Sequence, residues 1–123
     1  MGLSYSKKNK LKDQKLIEKL FAEGRSVSVF PLRLIYLQTS KSIHVGVSVS
    51  KKNFKHAVDR NRIKRLMRES YRYNKKMLID NNVSGYAFMI LYIGKDMPDY
   101  KLVNSKTQSL LTKFVGNLCD LQK

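Results

Sequence analysis

Leu16, Ile17, Leu20 and Phe21 recur at i, i+1, i+4 and i+5, one apolar stripe of a short helix. Asp13 suits its N-cap and Gly24 its C′ stop. Leu32 to Thr39 is rich in Leu, Ile and Tyr and predicts a strand. Ile43 to Ser50 alternates, with Ile43, Val45, Val47 and Val49 on one face and His44, Gly46, Ser48 and Ser50 on the other. That second face is small and polar, so either it meets water or something lies across it. From His56 to Leu78 the period becomes helical, with Ile63, Leu66, Met67, Tyr71, Asn74 and Leu78 on the buried side. Residues 81–85 read as a turn. Tyr86 to Ile93 is a continuous apolar run, as expected of a central strand. Val103, Leu110, Leu111, Phe114 and Leu118 mark a closing amphipathic helix, and Pro31 and Pro98 punctuate turns. The order is helix, strands, helix, strand, helix (α-β-β-β-α-β-α). It predicts an α+β or α/β sandwich, a small mixed sheet with helices packed on it.

Composition bounds this reading. A chain of 123 residues, 42% of them apolar, is one domain with a viable core and no room for a second. Residues 1–11 are polar and basic and read as a flexible arm preceding that single domain. The longest apolar run, Ala87 to Ile93, is far short of the ~20 residues of a membrane span, and the N-terminus has no apolar signal segment. Cys119 alone excludes an internal disulfide and a cysteine-based zinc site. The expectation is an intracellular, cytoplasmic protein. Charge adds the most: 25 Lys and Arg against 9 Asp and Glu leave +16. Such a surplus repels itself on folding, and it points to a polyanionic partner.

The surplus is concentrated. Between Lys51 and Lys76, eleven Lys and Arg face only Asp59 and Glu69. On the predicted helix, Arg60, Lys64 and Arg68 are spaced i, i+4, i+8, with Asn61, Arg65 and Arg72 beside them, a basic ridge opposite the Ile63–Met67 stripe. A solvated helix face normally mixes acids with its bases, because like charges at i, i+4 destabilise a free helix. The near absence of acids here favours phosphate binding, for which the planar fork of arginine is suited. Just upstream, the strand with Gly46 and Ser48 runs into Lys51 and Lys52. A shallow strand face ending in charge fits an extended single strand of nucleic acid, with Phe21 and Tyr36 as candidate stacking rings. Core packing is the competing reading for Phe21, whose helical spacing alone would turn it inward.

A protein-borne active site is not expected. The nine carboxylates are scattered, His44 and His56 are isolated, and neither a Walker loop nor a Gly-x-Gly-x-x-Gly motif is present. Cys119 reads as a small core residue. Two other classes carry the same basic helix. One is a structural RNA-binding protein of ribosomal type, which need not have the small-residue strand beside it. The other is a DNA-binding regulator, which would be expected to show a helix-turn-helix pair.

The run from Val45 through Ser50, Lys51 and Lys52, followed by Ala57 to Glu69, resembles the protein subunit of bacterial ribonuclease P. Arg60-Asn61-Arg62 matches that family's RNR motif, with the Ser-Lys-Lys block upstream of it. Leu11-Lys12…Leu20-Phe21…Gly24 and Leu34-Ile35-Tyr36 look like its first helix and first strand. The resemblance implies a non-catalytic protein component of an endoribonuclease, whose RNA subunit removes the 5′ leader of precursor tRNA. The Mg²⁺ would be held mainly by that RNA and the substrate. It implies that Arg60, Asn61, Arg62, Lys64, Arg65, Arg68, Lys51 and Lys52 face RNA, and that Phe21, Tyr36 and Ser48 border a leader cleft between the first helix and the sheet. Ile17 stands where many members carry an aromatic, so apolar contact with the leader is implied there. A left-handed βαβ crossover through the RNR helix is implied as well.

Overall fold

The structure, a computed structural model, describes residues 14–38, 43–81 and 85–121. The basic arm, Asp13 and the side chain of Cys119 lie outside the described residues. The chain order is α1 (Gln14–Glu23), β1 (Arg25–Val29), β2 (Leu32–Gln38), β3 (His44–Val49), α2 (Ala57–Asn74), α3 (Lys76–Asp80), β4 (Tyr86–Tyr92) and α4 (Tyr100–Leu121). This is the expected α+β architecture, its three early strands included, with one helix added. The first of the three early strands has no apolar run of its own; it is β1, Arg-Ser-Val-Ser-Val, which buries only Val27. The long helix also breaks at Lys75, where the Leu78 N–H bonds back to the Lys75 carbonyl at 3.0 Å, a tightened i→i+3 turn that starts α3.

The four strands lie in the order β1-β2-β4-β3. A hairpin through Phe30 and Pro31 joins β1 to β2, β4 runs antiparallel to β2, and β3 runs parallel to β4 at the opposite edge. Antiparallel neighbours accept a two-residue turn, whereas the parallel pair requires the α2–α3 crossover.

Each strand alternates between two unequal cores. On one face Leu34, Tyr36, Val45, Phe88 and Ile90 pack under α2 and α4, against Ile63, Met67, Leu110 and Phe114. On the other, Ile35, Ala87 and Met89 meet Leu20 of α1, with Ile17, Leu37 and Leu91 at its margin. The unbroken apolar run of β4 follows from this, since helices cover both of its faces. Gly24 ends α1 as expected: its N–H bonds to the Leu20 carbonyl at 2.9 Å. A side chain there would place Cβ 2.3 Å from that same oxygen and 2.9 Å from Ile35 Cγ2, so only glycine lets α1 settle this close to β2.

Candidate nucleic-acid interface

The α1 face of the sheet is only partly roofed. α1 packs on β2 and β4, and His44, Gly46 and Ser48 of the edge strand β3 are left half-buried beside it. The strand register lays this floor out in rows. Ser28, Arg33, Leu91 and Ser48 form one; Ser26, Ile35, Met89 and Gly46 form the next; Leu37, Ala87 and His44 follow. Small residues on β3 thus make a shallow trough along the open flank of α1. Leu20 anchors the helix with no exposed surface, Ile17 is half-buried against the same cluster, and Phe21 beside them is 53% exposed. That exposure rules out the core reading of Phe21: it is a surface ring on the α1 side of the sheet.

Tyr36 must be corrected. It pairs with Phe88 and lies on the opposite face of β2 from Ile35. Its ring is 6% exposed and meets Phe114 edge-on at 4.8 Å, with Tyr86 6.3 Å away. Strand parity decides this, because a residue one position from Ile35 cannot share its face. Tyr36 therefore belongs to the core under α4 and does not border the trough. In its place the same parity brings in Arg33, which the sequence reading missed. Arg33 is exposed in the row of Ser48, and its guanidinium donates to Ser26 Oγ at 3.4 Å. The alternation Leu32, Leu34, Tyr36 against Arg33, Ile35, Leu37 was the available signal.

At the end of β3 the chain turns through Lys51 and Lys52, both exposed. The Lys52 N–H donates to Ser50 Oγ at 3.2 Å and the Phe54 N–H to the Ser50 carbonyl at 3.1 Å, which fixes this corner. Phe54 is buried against Tyr92, and Asn53 Nδ2 donates to the Gly94 carbonyl at 3.3 Å. The two lysines thus ride on a corner tied down on both sides.

Helix α2 lies behind β3, on the other face of the sheet. With Ile63, Met67, Ser70 and Tyr71 inward, the helical period turns Asn61, Arg65, Arg68 and Arg72 outward as one line, and all four are exposed. Arg62 is exposed on one flank, while Arg60 and Lys64 are half-buried on the other. The expected ridge is thereby redrawn. Its spine is Asn61–Arg65–Arg68–Arg72, and Arg60 is committed elsewhere: its guanidinium donates to the Phe54 and Lys55 carbonyls, each at 2.8 Å. That clamp holds the corner loop onto the first turn of the helix. Arg72 pairs with Glu69 at 2.7 Å, and both are half exposed, so the pair contributes at most about 1 kcal/mol and leaves Arg72 available to a phosphate. His56 occupies the N-cap position without a side-chain cap bond, and is exposed.

Charge and shape together make two surfaces that meet at the edge strand, a trough in front and an arginine spine behind. Neither gathers the acids or histidines that would bind a metal; among the described residues no three His, Cys, Asp or Glu come together. No helix among those residues is long and apolar enough to cross a membrane.

The sequence model of the ribonuclease P family matches residues 5–115 of the chain. A ribonuclease P protein component from Porphyromonas gingivalis is 38% identical over 126 residues, covering 95% of this chain and 89% of that protein. One from Chlorobium phaeobacteroides is 38% identical over 118 residues, covering 82% and 81%. Among solved structures, the RNase P protein of Thermotoga maritima superposes with a TM-score of 0.71 at 23% identity, over 85% of this chain and 96% of that one. The Staphylococcus aureus RNase P protein gives 0.68 at 19% identity, over 85% and 93%. These structural likenesses bear on the fold, and they agree with the mixed four-stranded sheet described above.

Proposed function

The chain belongs to the ribonuclease P protein family, and from that premise we propose that its arginine spine docks on ribonuclease P RNA while its trough holds the 5′ leader of precursor tRNA. Membership itself makes it a protein component of an endoribonuclease, acting in tRNA 5′ processing with an RNA subunit. The observation that carries the finer reading is the pairing of two basic surfaces across one edge strand. Arg62, Arg65 and Arg68, with Asn61 beside them, meet phosphates of the RNA subunit from behind β3. Lys64 lends charge from the flank. In front, Gly46 and Ser48 let an extended strand lie close, Phe21 offers a ring to a base, Ile17 gives apolar contact, and Arg33, Lys51 and Lys52 follow the backbone.

In this reading the RNA carries the hydrolysis. Mg²⁺ would be held at phosphates of the RNA and the substrate, and the chemistry it would supply there is water activation and charge stabilisation. The described residues do not fit a divalent ion, lacking any cluster of hard ligands. The protein supplies binding and orientation, and we place the complex in the cytoplasm.

The test is addition of the purified protein to a bacterial ribonuclease P RNA at low Mg²⁺, with precursor tRNA as substrate. Stimulated leader removal is expected, with Ser48→Trp lowering affinity for leader-bearing tRNA and sparing affinity for the RNA subunit. Equal affinity of wild type and Ser48→Trp for a precursor with a leader of several nucleotides would refute the trough assignment. His44→Ala and His56→Ala should each change the cleavage step by far less than the ~10²–10⁴-fold of a lost general acid or base.

A further inference from the structure

At the end of the sheet where β4 leaves and α4 begins, a pocket of about 290 Å³ opens between the β1–β2 turn and the first turns of α4. Phe30, Pro31, Tyr92 and Leu102 give it aromatic and aliphatic walls, and Lys95, Lys106 and one acid, Asp96, line it as well. Its frame is fixed by backbone bonds. The Ile93 N–H donates to the Pro31 carbonyl at 2.8 Å, and the Tyr92 hydroxyl donates to the Asp96 carbonyl at 2.6 Å. Gly94 sits in the wall at a point where a Cβ would lie 2.8 Å from the Tyr92 hydroxyl and 2.9 Å from Pro31 Cβ.

Two features of this end call for a ligand. Phe30 is 69% exposed and Leu102 38%, and Ile93, Met97 and Tyr100, close to the lining residues along the chain, are exposed too. Apolar patches concentrated in this way mark binding surfaces. Its cations choose the occupant. Two lysines against the single carboxylate of Asp96, on a chain of net charge +16, disfavour a second copy of the chain and favour a partner that is both flat and anionic. The volume, at the low end of the ~300–1,000 Å³ of small-molecule sites, suits one planar group. The pocket also adjoins the RNA surfaces, because Asn53, on the corner that carries Lys51 and Lys52, is bonded to the Gly94 carbonyl.

We propose that this pocket takes one unpaired nucleotide of an RNA partner, its base packed against Phe30, Pro31 and Leu102 and its phosphate met by Lys95 and Lys106. The proposal rests on the RNA-binding reading and extends the path of the RNA around the end of the sheet, beyond the trough and the spine.

The test uses the full chain, labelled with ¹⁵N and titrated separately with 5′-UMP, 5′-AMP, the two nucleosides and inorganic phosphate. Both nucleotides are expected to shift the amides of Gly94, Lys95 and Asp96 at concentrations where nucleoside or phosphate alone does not. Phe30→Ala, at an exposed position, should weaken nucleotide binding at least about fivefold, the lower bound for losing a stacking ring, and Lys106→Ala should weaken it as well. Equal shifts from phosphate alone would reduce the site to a charged surface and overturn the proposal. So would an absence of shifts, or a patch that only self-associates with rising protein concentration. Binding to ribonuclease P RNA is measured in parallel. If Phe30→Ala preserves it while nucleotides fail to bind, the pocket falls and the RNA-binding reading stands; if the wild type binds no RNA subunit, that reading is what fails.

Discussion

Phe21 and Tyr36 show how far a single residue's role can be read before its surroundings are known. Both are aromatic and both lie beside apolar neighbours in sequence, yet one is half exposed and the other is locked at 4.8 Å against Phe114. Phe21→Ala should therefore cost under about 1 kcal/mol of folding stability and weaken precursor binding by about 1–3 kcal/mol, the range for a lost base stack. Tyr36→Ala should do the reverse, destabilising by about 3–5 kcal/mol through the cavity it leaves. Denaturant melts beside leader-binding titrations separate the two. The sequence showed that both rings stand near a sheet; strand pairing register told which side Tyr36 takes, and the packing of α1 through Leu20 left Phe21 at the surface. Buried phenols add a pH signature. Burial pushes the Tyr92 hydroxyl up, with Asp96 adding to the effect, and burial followed by Tyr36 raises Tyr86 against the opposing pull of Arg25. A raised folded value means stability is full below the unfolded value near ~10 and is lost as pH climbs above it. Tyr92→Phe should flatten that alkaline loss in melts taken across pH 9 to 11.

The elements were legible in proportion to how regular their surroundings are. β4 and α2 announced themselves, one by a run buried on both faces and the other by a sustained helical period. β1 did not, since an edge strand that buries only Val27 leaves almost no apolar trace. Nor did the break at Lys75, because the apolar period continues through it to Leu78 and only the tightened backbone turn marks the change. Within α2, spacing located the basic residues, but the carbonyls of Phe54 and Lys55 that engage Arg60 come from a loop whose path no periodicity encodes. This difference is measurable. Arg65→Ala and Arg68→Ala should each flatten the log–log salt dependence of RNA binding by somewhat less than one unit. Arg60→Ala should chiefly lower thermal stability by freeing the corner loop, with a smaller change in slope. A slope change for Arg60→Ala as large as that for Arg65→Ala would contradict the division. For α1 the corresponding handle is Leu20, its fully buried contact with the sheet, whose replacement by alanine should cost about 2–5 kcal/mol.

At the scale of the whole molecule, the edge strand β3 is what makes two surfaces from one small domain. Its Val45 and Val49 face the core beneath α2, while Gly46 and Ser48 floor the trough on the other side. A two-residue period therefore assigns neighbouring residues to different faces, and through them to different RNA surfaces in the proposed reading. The sheet between them is close-packed, so a substitution on one face does not reach the other unless it shifts the strand itself. Ser48→Trp fills the trough without touching α2, and Arg65→Ala removes a cation from the outer line of α2 without touching the trough. In the assembled complex with precursor tRNA, the losses from these two substitutions should add within about 0.3–0.5 kcal/mol, as they do for sites that share no partner. Binding of the isolated RNA subunit should respond to Arg65→Ala alone, and the advantage of precursor over mature tRNA to Ser48→Trp alone. A double-mutant cycle with a coupling energy well above 1 kcal/mol would mean that trough and spine grip one continuous RNA element across the edge of β3, and the two-surface reading would give way to a single wrapped site.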